Sequence, residues 1–266
     1  MMTVYADLFR YRELFASLFR RDLHARYKGT VLGVAWSLAN PLILMGVYVL
    51  VFSLLWKVTT IDHYPLFLLS GLAVWVFLAA SLQSAARSML DYAELIKKVR
   101  FPRQLVPFST VATHLVSFAA MLVGLVAASA LVLPRARETA WLALLLALPV
   151  VALVAGLALA VASANVVFRD VEHLVSALLL PWFFLTPVLY SLEELPGGLE
   201  RYGTVVEVLR WANPLTPPIY ALRAPLFFGE LPALGDVLYL LAAAVASLAV
   251  GALVFSRVDD RMAVEL

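Results

Sequence analysis

Uncharged apolar runs alternate with short charged segments along the chain. Five runs meet or approach the about 20 residues that a membrane-spanning helix needs: Val31 to Trp56, Pro65 to Ala86, Leu105 to Leu133, Ala140 to Phe168 and Gly235 to Phe255. A sixth, Leu174 to Tyr190, is shorter and contains Pro181 and Pro187. The pattern predicts an all-α integral membrane domain over residues 1–266 with six transmembrane helices. Between the last two spans, Ser191 to Pro232 mixes charges with Trp211, Phe227 and Phe228. A continuous span from Trp211 to Phe228 can be drawn, but Pro214, Pro217, Pro218, Pro225 and Arg223 argue against an unbroken helix. Short re-entrant or interfacial helices are expected there instead, on the external side. Non-helical backbone at membrane depth is tolerated only where protein or a water-filled cavity covers it, which makes residues 191–232 a functional candidate.

The segment ahead of the first run has a different period. At 100° per residue Leu8, Tyr11, Leu14, Phe15, Leu18 and Phe19 share one face, and Arg10, Glu13, Ser17, Arg20, Arg21 and His24 the other. An amphipathic helix with a basic face lies in the membrane interface, so residues 1–30 are read as an interfacial helix. It serves either as a lipid anchor or as a surface that also docks a cytoplasmic partner. A second patterned segment, residues 87–104, contains RSMLDYAELIKKVRFPR. Its apolar residues alternate with Asp91, Glu94, Lys97, Lys98 and Arg100, predicting a short helix stopped by Pro102. The plain alternative is a solvated basic loop.

Composition agrees with a membrane solvent: 63% of residues are apolar and 14% charged, against roughly a quarter charged in soluble domains. A net charge of +2 gives no reason to expect a nucleic-acid partner. The distribution of basic residues says more. Counting those near the ends of six spans places 14 on the side of the amino terminus and 6 (Lys57, Arg135, Arg137, Arg201, Arg210, Arg223) on the other. Both termini are therefore expected in the cytoplasm. The first run begins only near Val31 and precedes further spans, so a cleaved signal peptide is not expected. Cysteine is absent. The four histidines are scattered with no H-E-x-x-H or other metal spacing, and neither G-x-x-x-x-G-K-[ST] nor G-x-G-x-x-G occurs. The chain is expected to bind no cofactor and to be no enzyme. His114, inside the third span, is expected to hydrogen-bond a neighbouring helix.

Six fragments in order carry a resemblance: RDLHARYKGTVLGVAWSLANPLILMGVYVLVFSLLW (Arg21 to Trp56), LLSGLAVWVF (Leu68 to Phe77), LIKKVRFPRQLVP (Leu95 to Pro107), NVVFRDVEHLV (Asn165 to Val175), FFLTPVLY (Phe183 to Tyr190) and NPLTPPIYALR (Asn213 to Arg223). Together they resemble the membrane subunit of ABC-2-type polysaccharide exporters, which move O-antigen, capsular polysaccharide or wall teichoic acid. The resemblance implies an interfacial amino-terminal helix, six spans and external re-entrant helices. It also implies two ATP-binding partner subunits that hold ATP and Mg, a second copy of this chain, and a lipid-linked polysaccharide crossing the cytoplasmic (inner) membrane among its lipids. By that resemblance Arg20, Arg21, Asp91, Glu94, Lys97, Lys98 and Arg100, and more weakly Arg169 and Asp170, are candidate contacts to the ATPase.

Sugar rings stack on aromatic faces. Tyr48, Phe52 and Trp56, four apart on one stripe, and Trp182, Phe183, Phe184 and Tyr190 are therefore candidate pore-lining groups, against the alternative of an interfacial aromatic belt. Asn213, Pro214, Tyr220 and Arg223 are the candidates in the re-entrant region. Gly29 and Gly33 form a G-x-x-x-G that could mark a dimer seam. Two further readings share parts of this pattern: an ABC-2 exporter of a small hydrophobic drug or lipid, and a stand-alone secondary transporter or channel. The latter predicts charges within the spans and an inverted repeat, and neither is evident in the sequence.

Overall fold

The computed structural model describes residues 2–30, 33, 35–55, 61–99, 101–192 and 198–265. Helices are the only regular structure among them, as expected where a backbone in apolar surroundings must satisfy its own polar groups. The chain starts with α1 (Met2–Arg10) and α2 (Arg12–Tyr27), then α3 (Ala35–Tyr48), which continues as a π-helical stretch, Val49–Leu55. There follow α4 (Tyr64–Asp91), α5 (Ala93–Lys98), α6 (Leu105–Val132), α7 (Leu142–Val167) and α8 (Val171–Leu185). After these come α9 (Gly198–Trp211), α10 (Thr216–Arg223) with a π-helical turn at Ala224–Phe228, and α11 (Leu234–Glu265).

Among the described residues, four helices are long and apolar enough to cross a bilayer: α4, α6, α7 and α11, with mean hydropathies of 2.1 to 2.8. The other two expected spans, 31–56 and 174–190, correspond to α3 and α8. Their apolar helical stretches among the described residues, Pro41–Ser53 and Val171–Leu185, fall short of the about 20 residues that cover 30 Å. Among the described residues, length and composition alone thus identify four spanning helices.

α4 is the axis of the bundle. Two thirds of its most apolar window is buried (67%), against 22–33% for α6, α7 and α11. The outer helices leave large side chains such as Leu131, Leu148 and Val245 bare, as a lipid-facing surface does. α7 and α11 pack closest. A Cβ on Gly156 would fall 2.3 Å from the Ser247 carbonyl carbon, and one on Gly251 2.4 Å from the Gly156 oxygen. Small residues let backbones approach in this way where lipid removes the hydrophobic drive for association.

The ends of the bundle are tied by polar groups. At one end Asn165 donates to the Ala86 carbonyl (2.8 Å) and its side-chain oxygen accepts the Glu172 N–H (2.9 Å), pinning the α7–α8 turn to α4. The first and last helices meet at this same end. Tyr5 donates to the Leu248 carbonyl (2.6 Å), Gln104 to Asp7 (2.8 Å), and Arg103 lies 3.2 Å from the Asp259 carboxylate. At the opposite end Arg135 and Thr139 donate to the Phe227 and Pro225 carbonyls. Gly229 (φ 74°) passes so close to the Arg135 carbonyl that no Cβ would fit.

The amino-terminal segment is two helices divided at Tyr11. Its predicted polarity holds in α2: Leu18 is buried and Leu14, Phe15 and Phe19 are half-buried, while Ser17, Arg20, Arg21 and His24 are exposed. One expectation is corrected. Gly29 and Gly33 both have left-handed φ angles, 76° and 50°, so they are turn residues and form no helical G-x-x-x-G seam.

Candidate functional site

The end of the bundle that gathers α2, α5 and the α7–α8 turn presents most of the charge. In α5, Ile96 is buried against the bundle and Leu95 half-buried, which turns Glu94, Lys97 and Lys98 outward. Lys98 reaches Glu94 one turn away at 2.8 Å. Asp91 is exposed at the end of α4, and Arg20 and Arg21 on α2. The Arg21 guanidinium lies 3.9 Å over the Tyr92 ring and 3.7 Å from Asp22. The Tyr92 hydroxyl donates to the Asp22 carboxylate, and burial, then that bond, push this hydroxyl well above its ordinary range. It therefore remains a donor at physiological pH, and its bond to Asp22 joins α2 to the α4–α5 corner. Arg169 and Asp170 are exposed in the α7–α8 turn, held near the end of α4 by the Arg87–Glu172 pair at 3.4 Å. Arg100 lies outside the described residues.

Deeper in the bundle the aromatic candidates converge. Tyr48 stacks on Phe183 (centroids 5.9 Å) and neighbours Phe52 (6.3 Å). Phe183 also contacts Phe184 (5.4 Å). The centre of this group is Trp75 on α4, which meets Phe183 at 5.3 Å and Trp182 edge-on at 6.0 Å. Tyr48, Trp75 and Phe183 line a groove of about 270 Å³ between α3, α4 and α8. Phe183 and Trp75 are buried and Phe184 is exposed. Tyr190 stands apart, donating to the Phe184 carbonyl at 3.2 Å. Trp56 lies outside the described residues.

The 191–232 region connects to these rings through Asn213. Its side-chain oxygen accepts from the Trp182 indole (3.0 Å) and the Leu215 N–H (3.1 Å), and its amide donates to Thr186 (2.9 Å). Pro214 is half-buried in the turn between α9 and α10. Pro217 and Pro218 stand at the start of α10, where missing N–H groups cost little. The Tyr220 hydroxyl accepts the Leu192 N–H (3.1 Å), and its ring carries the Arg210 guanidinium at 4.4 Å. Arg210 pairs with Asp236 of α11 at 3.0 Å.

Arg223 requires a correction. Counted in the sequence with the sparse basic residues of the external side, it is buried (1% exposed). It donates to Ser70 (3.1 Å) and to the Pro187 and Val188 carbonyls (3.0 and 3.2 Å), with its guanidinium 3.7 Å from the Phe67 ring centre. It therefore acts as an internal clamp and not as a surface charge.

Trp75, Arg26, Ser84 and Asp22 were not singled out from sequence. His114 does bond a neighbouring helix, and in fact two: Arg26 of α2 at 2.6 Å and Ser84 of α4 at 2.9 Å. Arginine can only donate, so Nδ1 of His114 accepts, Nε2–H donates to Ser84, and the ring is neutral in this arrangement. The available signal was a lone histidine among apolar residues, together with arginine and serine at the matching end of the adjoining helices.

A sequence model of the family described as ABC-2 type transporter matches residues 13–227. The O-antigen export system permease protein RfbA of Myxococcus xanthus is 33% identical over 268 residues, covering 99% of both chains. Two proteins of the same name from Klebsiella pneumoniae are each 31% identical, over 216 and 212 residues, covering 79% of this chain and of each relative. With four apolar helices of spanning length and a family match over most of its residues, this multi-pass membrane protein belongs to the ABC-2 type transporter family.

Proposed function

We propose that this chain is the membrane-spanning permease subunit of an ATP-driven transporter that exports a lipid-linked polysaccharide of the O-antigen type across the cytoplasmic membrane. The observation that carries the reading is the end-to-end likeness to an O-antigen export permease, at 33% identity over 99% of both chains. ATP and Mg belong to a separate ATPase, with two copies joining two copies of this chain. Both termini lie in the cytoplasm, on the side of Lys97 and Lys98. In support, the first and last helices meet at that end, and α11 starts at the opposite one, where Asp236 pairs with Arg210.

Six crossings follow if α3 and α8 each carry the chain from the basic end to the opposite end, short as they are, and α9 and α10 are then re-entrant elements of the external side. The exposed residues of α2, α5 and the α7–α8 turn contact the ATPase. The groove lined by Tyr48, Trp75 and Phe183 belongs to the sugar path, since aromatic faces hold sugar rings without trapping them. Deleting the gene tests the core of this reading. Surface glycan should disappear, lipid-linked glycan should accumulate inside, and a plasmid copy should restore export. Unchanged surface glycan in the deletion strain would refute it.

A further inference from the structure

Between α2, α4 and α6, on the α5 side of the bundle, lies a recess of about 620 Å³, within the roughly 300–1,000 Å³ typical of small-molecule sites. Ser84 stands two residues before Ala86, where the apolar run of α4 closes, about 3 Å at 1.5 Å per residue. Thr113 stands eight residues after the start of α6, about 12 Å on the same rise. The recess therefore reaches into the part of the bundle where polar groups are expensive unless water or a ligand covers them.

The lining is polar and electrically balanced. Asp22 and Asp91 oppose Arg26 and Arg87, and the cations are already engaged, Arg26 with His114 and Arg87 with Glu172. Such a wall favours no net ionic ligand. Ser88, Thr110 and Thr113 donate their hydroxyl protons to carbonyls of their own helices, which leaves oxygen lone pairs as acceptors on the lining. Gln83 adds a carbonyl and an NH₂. Interspersed acceptors and donors around a neutral, sugar-sized space suit an uncharged polyhydroxyl ligand better than a phosphate or a lipid tail. Gln83 also lines the aromatic groove of Tyr48, Trp75 and Phe183, so one side chain borders both spaces.

We infer that this recess is a hydrated vestibule that holds uncharged sugar units of the glycan on the cytoplasmic side before they enter the aromatic groove. The inference rests on the polysaccharide-export reading and adds to it a loading site within a single copy of the chain. The absence of cysteine makes it directly testable. Gln83→Cys, Ser84→Cys and Thr110→Cys are made singly, with Leu145→Cys on the bare face of α7 as a lipid-facing control. Each is co-expressed with the partner ATPase carrying a substitution that blocks hydrolysis. Inverted membrane vesicles are then treated with a membrane-impermeant maleimide.

In vesicles from cells blocked in glycan synthesis, the three vestibule cysteines should react and Leu145→Cys should not. In vesicles from glycan-producing cells their reaction should slow about ten-fold, the protection that roughly 90% occupancy gives by mass action. Absence of reaction, or equal rates in the two membranes, would overturn the vestibule. Three conservative positions keep the test valid if one variant fails to insert. If deletion of the gene abolishes surface glycan while the cysteines go unprotected, the vestibule alone falls. Intact surface glycan in the deletion strain refutes the export reading itself.

Discussion

Arg223 is the largest fully buried side chain among the described residues, and a guanidinium is costly to remove from water. It is stabilised there by a serine hydroxyl, backbone carbonyls and the face of Phe67, and it fastens α10 to α4 and to the segment after α8. Arg223→Met should strand those carbonyls and lower stability by on the order of 2–5 kcal/mol, at about 1–3 kcal/mol for each unsatisfied group. The readout is the melting temperature of the detergent-solubilised protein, and melting like the wild type would show that the carbonyls find other donors. Gly71 makes the space for this clamp, since a Cβ there would sit 2.8 Å from an Arg223 Nη and 3.2 Å from the Val188 Cα. Gly71→Ala should therefore be destabilising in the wild type and less so beside Arg223→Met, because the guanidinium it collides with is gone. The pair should be less than additive, and strict additivity would show that Gly71 is not there for Arg223.

At the scale of elements, the boundaries of the spanning helices were largely legible. Runs predicted at 105–133 and 140–168 are helices at Leu105–Val132 and Leu142–Val167, because the bilayer sets their length and their flanks are polar. α4 and α11 run past their apolar windows to Asp91 and Glu265: charge ends a hydrophobic run without ending a helix. What the pattern could not convey is which faces meet. Gly29 and Gly33 carry the familiar spacing but lie in turns, whereas the close contact falls on Gly156 and Gly251, one glycine on each of two helices far apart in sequence. The two kinds of glycine make opposite predictions. Gly156→Ala must push α7 from the α11 backbone and should cost about 1–3 kcal/mol as overpacking. Gly124→Ala on α6 meets nothing within 4 Å and should be neutral or stabilising by about 0.5–1 kcal/mol through helix propensity. Melting curves of the two variants in one detergent decide it, and equal losses would show that the α7–α11 contact is not the tight one.

For the whole molecule, the proposed function makes the charged end of the bundle the place where work done by the ATPase enters. The hydrogen-bonded links at this end run from α2 through Tyr92 and Asp22 to the α4–α5 corner, and through Arg26, His114 and Ser84 across α2, α6 and α4. On that reading a push on α2 or α5 is delivered through these contacts to α4, the most buried of the spanning helices. The individual residues of this path were mostly hidden in the sequence, since an arginine, a tyrosine and a serine acquire their meaning only from the partner that tertiary structure supplies. The exposed charges of residues 91–98 were plain, being solvated and patterned at the end of α4 and along α5. Reversing them separates fold from coupling. Lys97 and Lys98 are exposed, and the one ion pair lost, Lys98 with Glu94, contributes only about 0.3–0.5 kcal/mol to stability. The Lys97→Glu, Lys98→Glu double variant should therefore insert and melt like the wild type and still assemble enough transporter to hydrolyse ATP. Its surface glycan should nonetheless fall about ten-fold or more, the consequence of losing on the order of 1.4 kcal/mol from a coupled step. ATPase activity of the purified complex and surface glycan of the complemented deletion strain are measured side by side. Wild-type export by this variant would remove α5 from the path of force, and loss of both hydrolysis and export would make it an assembly contact and not a coupling one.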